Sequence, residues 1–445
     1  MKIDLTNTEL SLNGGNPLRN EHKRWLDNFT TGKEEKAAAI EVIESGYLSL
    51  FEGSHKPDAP FSFEGGPYVQ KFETEWSAYY NIKHSISINS ATSGLYAAIG
   101  ALGIGYGDEV IVSPFTMTAC ALAPLIYGAI PVFADVELET GSLDPKSIRS
   151  KVSKNTKAII VVHQFGIPAN MDVIMDIAEE FNLKIIEDCA QAHGCLYKGK
   201  EVGTIGDIGV FSLNVNKTIQ TGEGGVCITN DDDLAYRLKL IRNHGEAVVG
   251  PAGYKNIVNI AGYNYRMTEI LAAVASVQLK KLPTLNQARI GMVYSLVDQL
   301  LEIDFLQPLV SRPECKDCNC EENKKCKPTF YVFPMRFLPE KVNITRNEFV
   351  AALNAEGFLF FQGYTPPLYL QPLYQEKQLF KKGYPFKAPV NQHLNMDYNK
   401  GLCPNTEQLH YHEMTINEHI RLPNTQEDID DIYRAIKKII QAYHE

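Results

Sequence analysis

Lys217 is the residue whose type and surroundings point most directly to covalent chemistry. It follows Ser212 and precedes the glycine-rich loop Gly222-Glu223-Gly224-Gly225, and Asp188 lies upstream at the end of an apolar run. A lysine amine can form a Schiff base with an aldehyde, and a buried carboxylate can keep a pyridine nitrogen protonated so that the ring accepts electrons. The pair therefore predicts pyridoxal 5'-phosphate (PLP), held covalently on Lys217 and paired with Asp188.

A phosphate site is predicted beside this pair. Ser212 has a hydroxyl that can donate to phosphate, and the run Asn89-Ser90-Ala91-Thr92-Ser93-Gly94 opens a helical pattern. The free N–H groups of a helix N-terminus bind anions without net charge. The alternative interpretation of the run is a plain helix N-cap, and an isolated acid such as Asp188 can likewise cap the next helix.

Short apolar runs alternate with helical patterns from Tyr68 to about Leu282. The runs are Val110–Val112, Pro131–Phe133, Ala158–Val162, Lys184–Ile186, Ile208–Phe211 and Val226–Ile228, and helical patterns include Ser93–Leu102 and Met171–Phe181. Continuous apolar strands separated by helices predict a mostly parallel sheet covered on both faces. Ligands bind at the carboxyl ends of such strands, where Asp188 and Ser212 fall.

The whole chain has the composition of a globular protein. It has 445 residues, 44% hydrophobic and 22% charged, and 43 Lys and Arg against 53 Asp and Glu give a net charge of −10. This balance argues against nucleic acid or an anionic membrane as a bulk partner. We find no secretory signal and no apolar stretch long enough to span a bilayer, so we expect a cytoplasmic location.

Composition and pattern predict three segments. Residues 1–35 are polar and predict an N-terminal arm, residues 36–285 a large cofactor-binding domain, and residues 286–445 a smaller C-terminal α/β domain. Within them we expect helices over 270–282 and 288–301, a strand over 329–333, and a helix from about 426 to 443. Thr345-Arg346-Asn347-Glu348 predicts a capping box that begins a further helix.

Four cysteines cluster in a predicted insertion at 313–328, namely Cys315, Cys318, Cys320 and Cys326. Thiolates at this spacing can close tetrahedrally on zinc. Free thiols and disulfides are the alternatives, and the absence of an export signal disfavours disulfides.

Several motifs together resemble the DegT/StrS-type sugar aminotransferases, PLP enzymes of the aspartate aminotransferase fold (fold type I). In chain order they are Ser90-Ala91-Thr92-Ser93, Pro114-Phe115-Thr116, Glu187 to Gly194, Lys217 with Thr221 to Gly225, and Gly262 to Met267. The resemblance covers roughly residues 36–445. It implies a large domain with a mostly parallel sheet, a smaller C-terminal α/β domain, and a homodimer with shared active sites.

The resemblance also implies a role for each site residue. Asp188 would contact the pyridine nitrogen, and Gln191 the 3'-hydroxyl. The backbone of Ala91, with Thr92 and Ser212, would hold the phosphate. Asn264 would reach the phosphate of a neighbouring subunit, with Arg266 as the alternative for that contact. His163 and His193 flank the site and are interpreted as structural or hydrogen-bonding residues.

Two positions depart from the family pattern. Ala91 stands where family members usually have glycine, and Met117 falls where an aromatic side chain often covers the cofactor ring. A thioether can pack on a ring face, so Met117 is kept as a cofactor contact.

The resemblance implies transfer of an amino group from glutamate or glutamine to a keto sugar. Relatives that dehydrate sugars replace the lysine with histidine, so Lys217 favours transamination over a dehydratase. A non-catalytic regulatory protein of the same fold is the other alternative. The segments Leu12–Arg19, Gly363–Tyr369 and Cys403–Glu407 resemble the group that aminates keto-inositols, which favours a keto-cyclitol or unusual sugar as the acceptor.

Overall fold

The computed structural model describes residues 1–54, 60–310 and 326–441. These residues form a large sheet of seven strands, a smaller sheet of four strands and a two-stranded ribbon, with helices around them. The strands are β1 His84–Ile88, β2 Glu109–Val112, β3 Ile130–Phe133, β4 Thr156–Val162, β5 Lys184–Asp188, β6 Leu196–Tyr197, β7 Lys200–Glu201, β8 Ile208–Ser212, β9 Gly225–Thr229, β10 Leu306–Pro308, β11 Phe333–Phe337, β12 Phe360–Gln362 and β13 Met414–Asn417. The α-helices are α1 Lys33–Ser45, α2 Pro67–Tyr80, α3 Ala91–Ala101, α4 Ala119–Ile126, α5 Pro145–Lys151, α6 Met171–Phe181, α7 Asp232–Arg242, α8 Glu269–Leu300, α9 Arg346–Ala355, α10 Pro372–Gln375, α11 Pro404–Gln408 and α12 Gln426–Gln441.

The large sheet has seven strands in the order β1-β9-β8-β5-β4-β2-β3. The run from β3 to β8 is parallel, and β9 pairs antiparallel with both β8 and β1. The predicted α/β fold with a mostly parallel sheet is confirmed. Each of the six predicted runs became a strand, because each supplies apolar side chains to both faces of a covered sheet.

Helices cover the large sheet on both faces, and each face has its own apolar core. One core joins α3 and α4 to strand residues such as Ile88, Val110 and Ile160. The other joins α2 and α6 to the opposite faces of the same strands, through residues such as Ile111 and Ile159. The alternating neighbours Ile159 and Ile160 therefore point to different cores, as strand geometry requires.

α8 is one continuous helix where two were predicted. Pro283 lies inside it, faces solvent, and removes the N–H that would bond to the carbonyl of Leu279. α8 packs against α1 and α2 at its beginning and against α12 near its end. It therefore connects the part of the chain that holds the large sheet to the part that holds the small one.

The smaller sheet is antiparallel, with the order β10-β11-β13-β12. α9, which begins with the predicted capping box at Thr345 and Glu348, and α12 pack on it around a separate apolar core. The strand predicted over 329–333 is wrong: β11 begins at Phe333. The preceding residues instead bond across to the 165–166 loop, since Thr329 N donates to Gly166 O and Tyr331 N to Phe165 O.

The N-terminal segment lies along the smaller sheet and ends beside the large sheet. Ile3 and Leu10 are buried in the core of the smaller sheet. Arg19 is buried and pairs with Asp428 at 2.8 Å. Further on, Asn28 Nδ2 donates to the carbonyl of Lys217 at 2.9 Å. The predicted arm thus includes residues that belong to a core.

Three of the four clustered cysteines, Cys315, Cys318 and Cys320, lie outside the described residues. Cys326 is described, and its Sγ accepts a hydrogen bond from Lys198 N at 3.3 Å. Among the described residues, no helix is both long and apolar enough to cross a membrane.

Candidate active site

The site residues meet at the carboxyl ends of neighbouring strands. Asp188 is the last residue of β5 and Ser212 the last of β8, and these strands lie side by side in the sheet. The register pairs Val162 with Asp188 and Ser212 with Gly225. Because parallel strands end at one edge, residues distant in sequence converge there.

Asp188 is buried, and each of its carboxylate oxygens has a hydrogen-bond donor. The Cys120 thiol donates to Oδ2 at 3.0 Å, and Ala190 N donates to Oδ1 at 2.9 Å. Burial, and next the charge of Asp188, raise the pKa of Cys120 well above its usual value, so the thiol stays protonated and donates. Asp188 is therefore fixed in orientation while it keeps acceptor capacity for another donor.

Lys217 lies over an aromatic ring at the same edge. Its Nζ is 4.2 Å from the ring centroid of Tyr331. Burial lowers the pKa of Lys217 to about 8, although the charges of Asp188 and Glu418 oppose that shift. About half of the amine is therefore neutral at pH 8, and a nucleophile or a base must be neutral.

The loop that carries Lys217 is held from both sides. Val215 N bonds to Gly222 O, and Thr221 N bonds to Leu213 O, which closes the loop on itself. Asn28 from the N-terminal segment donates to the carbonyls of Val215 at 3.2 Å and Lys217 at 2.9 Å. The lysine therefore extends from a backbone that is fixed before any ligand binds.

An anion cradle lies next to Ser212. Ser90 caps α3, and its hydroxyl accepts from Ser93 N at 3.1 Å. The N–H groups of Ala91 and Thr92 in the first turn have no carbonyl of their own helix to bond. A Cβ on Gly225 would lie 2.7 Å from Ala91 N, so glycine at this position lets the helix N-terminus approach the strand.

Gln191 is held by its two neighbours. Its Oε1 accepts from Phe165 N at 2.8 Å, and its Nε2 donates to the Tyr364 hydroxyl at 3.1 Å. The rings of Phe115 and Phe165 pack edge-on against Tyr364, with centroids 5.8 and 5.1 Å away. These contacts connect the loop after β12, which belongs to the smaller sheet, to the site. The three rings form an apolar wall beside Gln191.

Two of the predicted cofactor contacts, Met117 and Asn264, have exposed side chains. The Met117 side chain is 55% exposed just before α4, so the described protein leaves one of its faces uncovered. Asn264 is also exposed, and its Oδ1 accepts from Arg266 Nε at 2.8 Å. The structure thus groups Asp188, Lys217, Ser212 and the α3 N-terminus. Asn264 lies near that N-terminus, because Asn89 Nδ2 donates to Asn264 O at 3.3 Å, but its side chain is exposed.

The two flanking histidines are buried and hydrogen-bonded. His163 Nε2 lies 3.0 Å from Glu187 Oε2, and His163 Nδ1 accepts from Ala169 N. His193 Nε2 bonds to Ser212 O at 2.8 Å, and burial, followed by the charge of Lys217, lowers the pKa of His193 to about 3. A neutral His193 donates to the backbone of Ser212 and holds the end of β8 in place.

Glu187 sits with His163 and Cys189 in the one group of three described residues that could hold a metal ion. Its carboxylate already accepts from three backbone N–H groups, those of Gly203, Ile205 and Gly206. Burial raises the pKa of Glu187, but hydrogen bonds from His163 and this backbone outweigh it, so the net shift is downward. This satisfied cluster supports the end of β5 without a metal.

Sequence reasoning missed a second set of residues around Lys217: Cys120, Tyr331, Tyr364, Arg289, Glu418 and Arg421. They come from α4, α8 and the loops that flank the smaller sheet. Tyr364 lies in the motif segment Gly363–Tyr369, but no local motif gave it or the others a place beside the lysine. Arg289 donates to Thr218 Oγ1 at 2.8 Å, so α8 reaches the residue after the lysine. Only the docking of distant elements could reveal them.

Comparison with known proteins identifies the family to which this chain belongs. The model of the DegT/DnrJ/EryC1/StrS aminotransferase family matches residues 60–437. The chain belongs to this family.

Curated relatives and solved structures are aminotransferases or amino-sugar enzymes as well. The chain is 30% identical to L-glutamine:2-deoxy-scyllo-inosose aminotransferase of Micromonospora echinospora over 98% of this chain and 99% of that protein. It is 42% identical to GDP-perosamine synthase of Escherichia coli O157:H7 over 56% of this chain and 64% of that protein. The aminotransferase from Psychrobacter cryohalolentis superposes with a TM-score of 0.77 at 27% identity, covering 95% of this chain and 100% of that chain.

Enzymes of this family depend on PLP, and the residues of this aminotransferase fit the cofactor. Glycine at 225 lets the N-terminus of α3 approach β9 beside Ser212, Asp188 presents a buried carboxylate, and Lys217 presents an amine of lowered pKa. The chain is a PLP-dependent aminotransferase of amino-sugar biosynthesis, as predicted.

Proposed function

We propose that this aminotransferase moves an amino group from glutamate or glutamine to a keto sugar or keto-cyclitol. The observation that carries the proposal is the convergence of Asp188, at the end of β5, and Lys217, in the loop after the adjacent strand β8. The two are close enough for the charge of Asp188 to oppose the burial that lowers the lysine pKa. The relatives named as a 2-deoxy-scyllo-inosose aminotransferase and a GDP-perosamine synthase support a cyclic ketone as acceptor.

We propose the following roles for the cofactor contacts. Asp188 keeps a proton on the pyridine nitrogen, and Gln191 orients the ring by contacting its 3'-hydroxyl. The N–H groups of Ala91 and Thr92 with the Ser212 hydroxyl bind the phosphate, and Met117 covers the ring face. PLP bound in this way supplies an electron sink that stabilises negative charge at the carbon of the amino donor.

Lys217 is the proposed proton carrier. Its Nζ is neutral above about pH 8 and so can take the proton from the donor's α-carbon. The resulting ammonium is stabilised by the face of the Tyr331 ring and by the charge of Glu418 until it returns the proton. Burial excludes water, which would otherwise compete for the proton.

We also propose a homodimer in which Asn264 completes the phosphate site of the partner subunit. Its exposed side chain, whose Oδ1 accepts from Arg266 Nε, supports this role. The proposed division remains an N-terminal arm of residues 1–35, a large domain of 36–285 and a small domain of 286–445.

The test of the proposed function follows the visible absorbance of bound PLP. Glutamate or glutamine should abolish that absorbance, and a panel of nucleotide-linked keto sugars, free keto sugars and keto-inositols should show which ketone restores it. Lys217→Ala should abolish turnover, whereas Lys280→Ala, a change at a largely exposed side chain, should not. Wild-type turnover by Lys217→Ala would refute the assignment.

A further inference from the structure

One thiol contacts the carboxylate that the proposed function pairs with the ring nitrogen of the cofactor. Cys120, the second residue of α4, is fully buried, and its Sγ lies 3.0 Å from Asp188 Oδ2. The other oxygen, Oδ1, accepts from Ala190 N at 2.9 Å. In residues 1–54, 60–310 and 326–441, Cys120 is therefore the one residue whose side chain donates a hydrogen bond to Asp188.

The thiol is a donor here and not a nucleophile. Burial is the main cause that raises the pKa of Cys120 well above its usual value, and the charge of Asp188 raises it further. A hydrogen bond from the Thr116 side chain lowers the pKa, but the other causes outweigh it. A reactive cysteine needs its thiolate, so the protonated Cys120 can only donate.

The segment before α4 holds the thiol in place before any ligand binds. Cys120 N donates to Met117 O at 3.4 Å in the first turn of the helix. Thr116 O accepts from Thr365 Oγ1 at 2.9 Å, which connects this segment to the loop after β12. The thiol and Asp188 are 68 residues apart in the chain, so the packing of α4 on the sheet creates their contact.

Hydrogen bonds to a carboxylate influence where the proton of a buried acid–pyridine pair resides. The pair is either an ion pair, with the proton on the nitrogen, or a neutral pair, with the proton on the carboxyl group. Donors to the carboxylate stabilise its charged form and so favour the ion pair. Because the backbone supplies the donor to Oδ1, loss of the thiol would leave Oδ2 without a donor.

We propose that Cys120 is a positioning residue that keeps the proton of this pair on the ring nitrogen, an inference that rests on the proposed function. Its S–H fixes the orientation of Oδ2 and stabilises the negative charge of Asp188. The ring nitrogen then contacts a carboxylate that is already oriented and charged. The effect of Cys120 on the reaction passes entirely through Asp188.

Serine and alanine have nearly the same volume, so they separate the loss of the donor from the loss of packing. Cys120→Ala removes the donor, whereas Cys120→Ser keeps an O–H group. In protein loaded with PLP that carries ¹⁵N in its ring, the ¹⁵N resonance should move toward that of neutral pyridine in Cys120→Ala. It should stay at the wild-type position in Cys120→Ser. The same two substitutions at Cys403, an equally buried thiol before α11, should not move it.

Ligand binding to the apo-protein gives a second measurement that needs no turnover. Pyridoxine 5'-phosphate has the ring nitrogen and the phosphate but no aldehyde, so its affinity does not depend on a bond to Lys217. In a calorimetric titration it should bind Cys120→Ala about 5- to 10-fold more weakly than the wild type, and Cys120→Ser within about 2-fold. Benzyl phosphate, which has no ring nitrogen, should bind the wild type and both variants equally.

The outcomes separate this inference from the proposed function. If Cys120→Ala and Cys120→Ser move the resonance equally, or if neither moves it, the positioning role is wrong. Weaker binding of benzyl phosphate to Cys120→Ala would assign the defect to the packing of α4 and overturn the role as well. If no amino acid removes the cofactor absorbance of the wild type, the proposed function fails, and pyridoxine 5'-phosphate still reports on Cys120.

Discussion

At the residue scale, burial is what turns Lys217 from a surface charge into a reactive amine. Its pKa falls to about 8 because desolvation penalises the ammonium more than Asp188 and Glu418 stabilise it. The group is therefore protonated below about pH 8 in the folded protein, and neutral above it. In the unfolded chain it would stay protonated to about pH 10.4.

We expect the rate at which the apo-protein captures PLP to rise with pH and to level off above about pH 8, because only the neutral amine attacks the aldehyde. Stopped-flow absorbance across pH 6.5–10 measures it. A rise centred near the ordinary lysine pKa would contradict the assigned burial effect.

The lowered pKa of Lys217 also affects stability. Between about pH 8 and 10.4 the unfolded chain binds more protons at Lys217 than the folded protein does, so the contribution of Lys217 to the free energy of unfolding grows with pH.

At the element scale, the N-terminus of α3 works as a phosphate cradle only because β9 presents a glycine to it. We expect Gly225→Ala to weaken PLP binding by about 10-fold or more, since the new Cβ would meet Ala91 N at 2.7 Å and displace the helix end. Cofactor titration by absorbance measures it. The control is Gly291→Ala in α8, where nothing lies within 4 Å of the added Cβ and the free energy of unfolding should change by no more than about 1 kcal/mol. Equal effects of the two changes would refute the cradle.

The N-terminal segment is a second element whose position has a functional consequence. We expect Asn28→Ala to slow amino transfer several-fold and to lower the free energy of unfolding by about 1–2 kcal/mol, because the carbonyls of Val215 and Lys217 lose their donor. Asn13→Ala is the matched control, since the Asn13 amide bonds only within its own segment, to Leu5 O and Asn7 O. Steady-state kinetics of both variants measure the rate of amino transfer, and thermal unfolding measures their stability. If Asn13→Ala slowed transfer as much as Asn28→Ala, the contact with the lysine loop would have no special role.

At the scale of the whole molecule, the proposed homodimer can be tested by mixing subunits. In a hybrid of Lys217→Ala and Asn264→Ala chains, a shared-site dimer has one site with both changes and one with neither. We therefore expect hybrids to recover about half of the wild-type activity although each parent homodimer is defective. Co-expression with two affinity tags isolates the hybrid for assay. Activity no higher than that of the parents would place Asn264 in the site of its own subunit.

Local pattern was enough to predict much of the large sheet. The six apolar runs, the ends of β5 and β8, and the cap of α3 depend on side chains close in sequence, so Asp188, Ser212 and Ala91 could be placed before the structure was known. The antiparallel strand β9 and the continuity of α8 through Pro283 could not. Direction and continuity depend on what an element packs against, and the sequence window does not contain that partner.

The sequence by itself determined the chemistry of this protein, because an acid, a lysine and a glycine-rich loop at strand ends have few other uses together. Tertiary structure decided the environment of that chemistry. The ring of Tyr331 under the lysine, the hydrogen bond from Asn28 and the thiol of Cys120 beside Asp188 all come from segments far away in the chain. Burial and proximity are properties of packed elements, and here they set the pKa of the lysine.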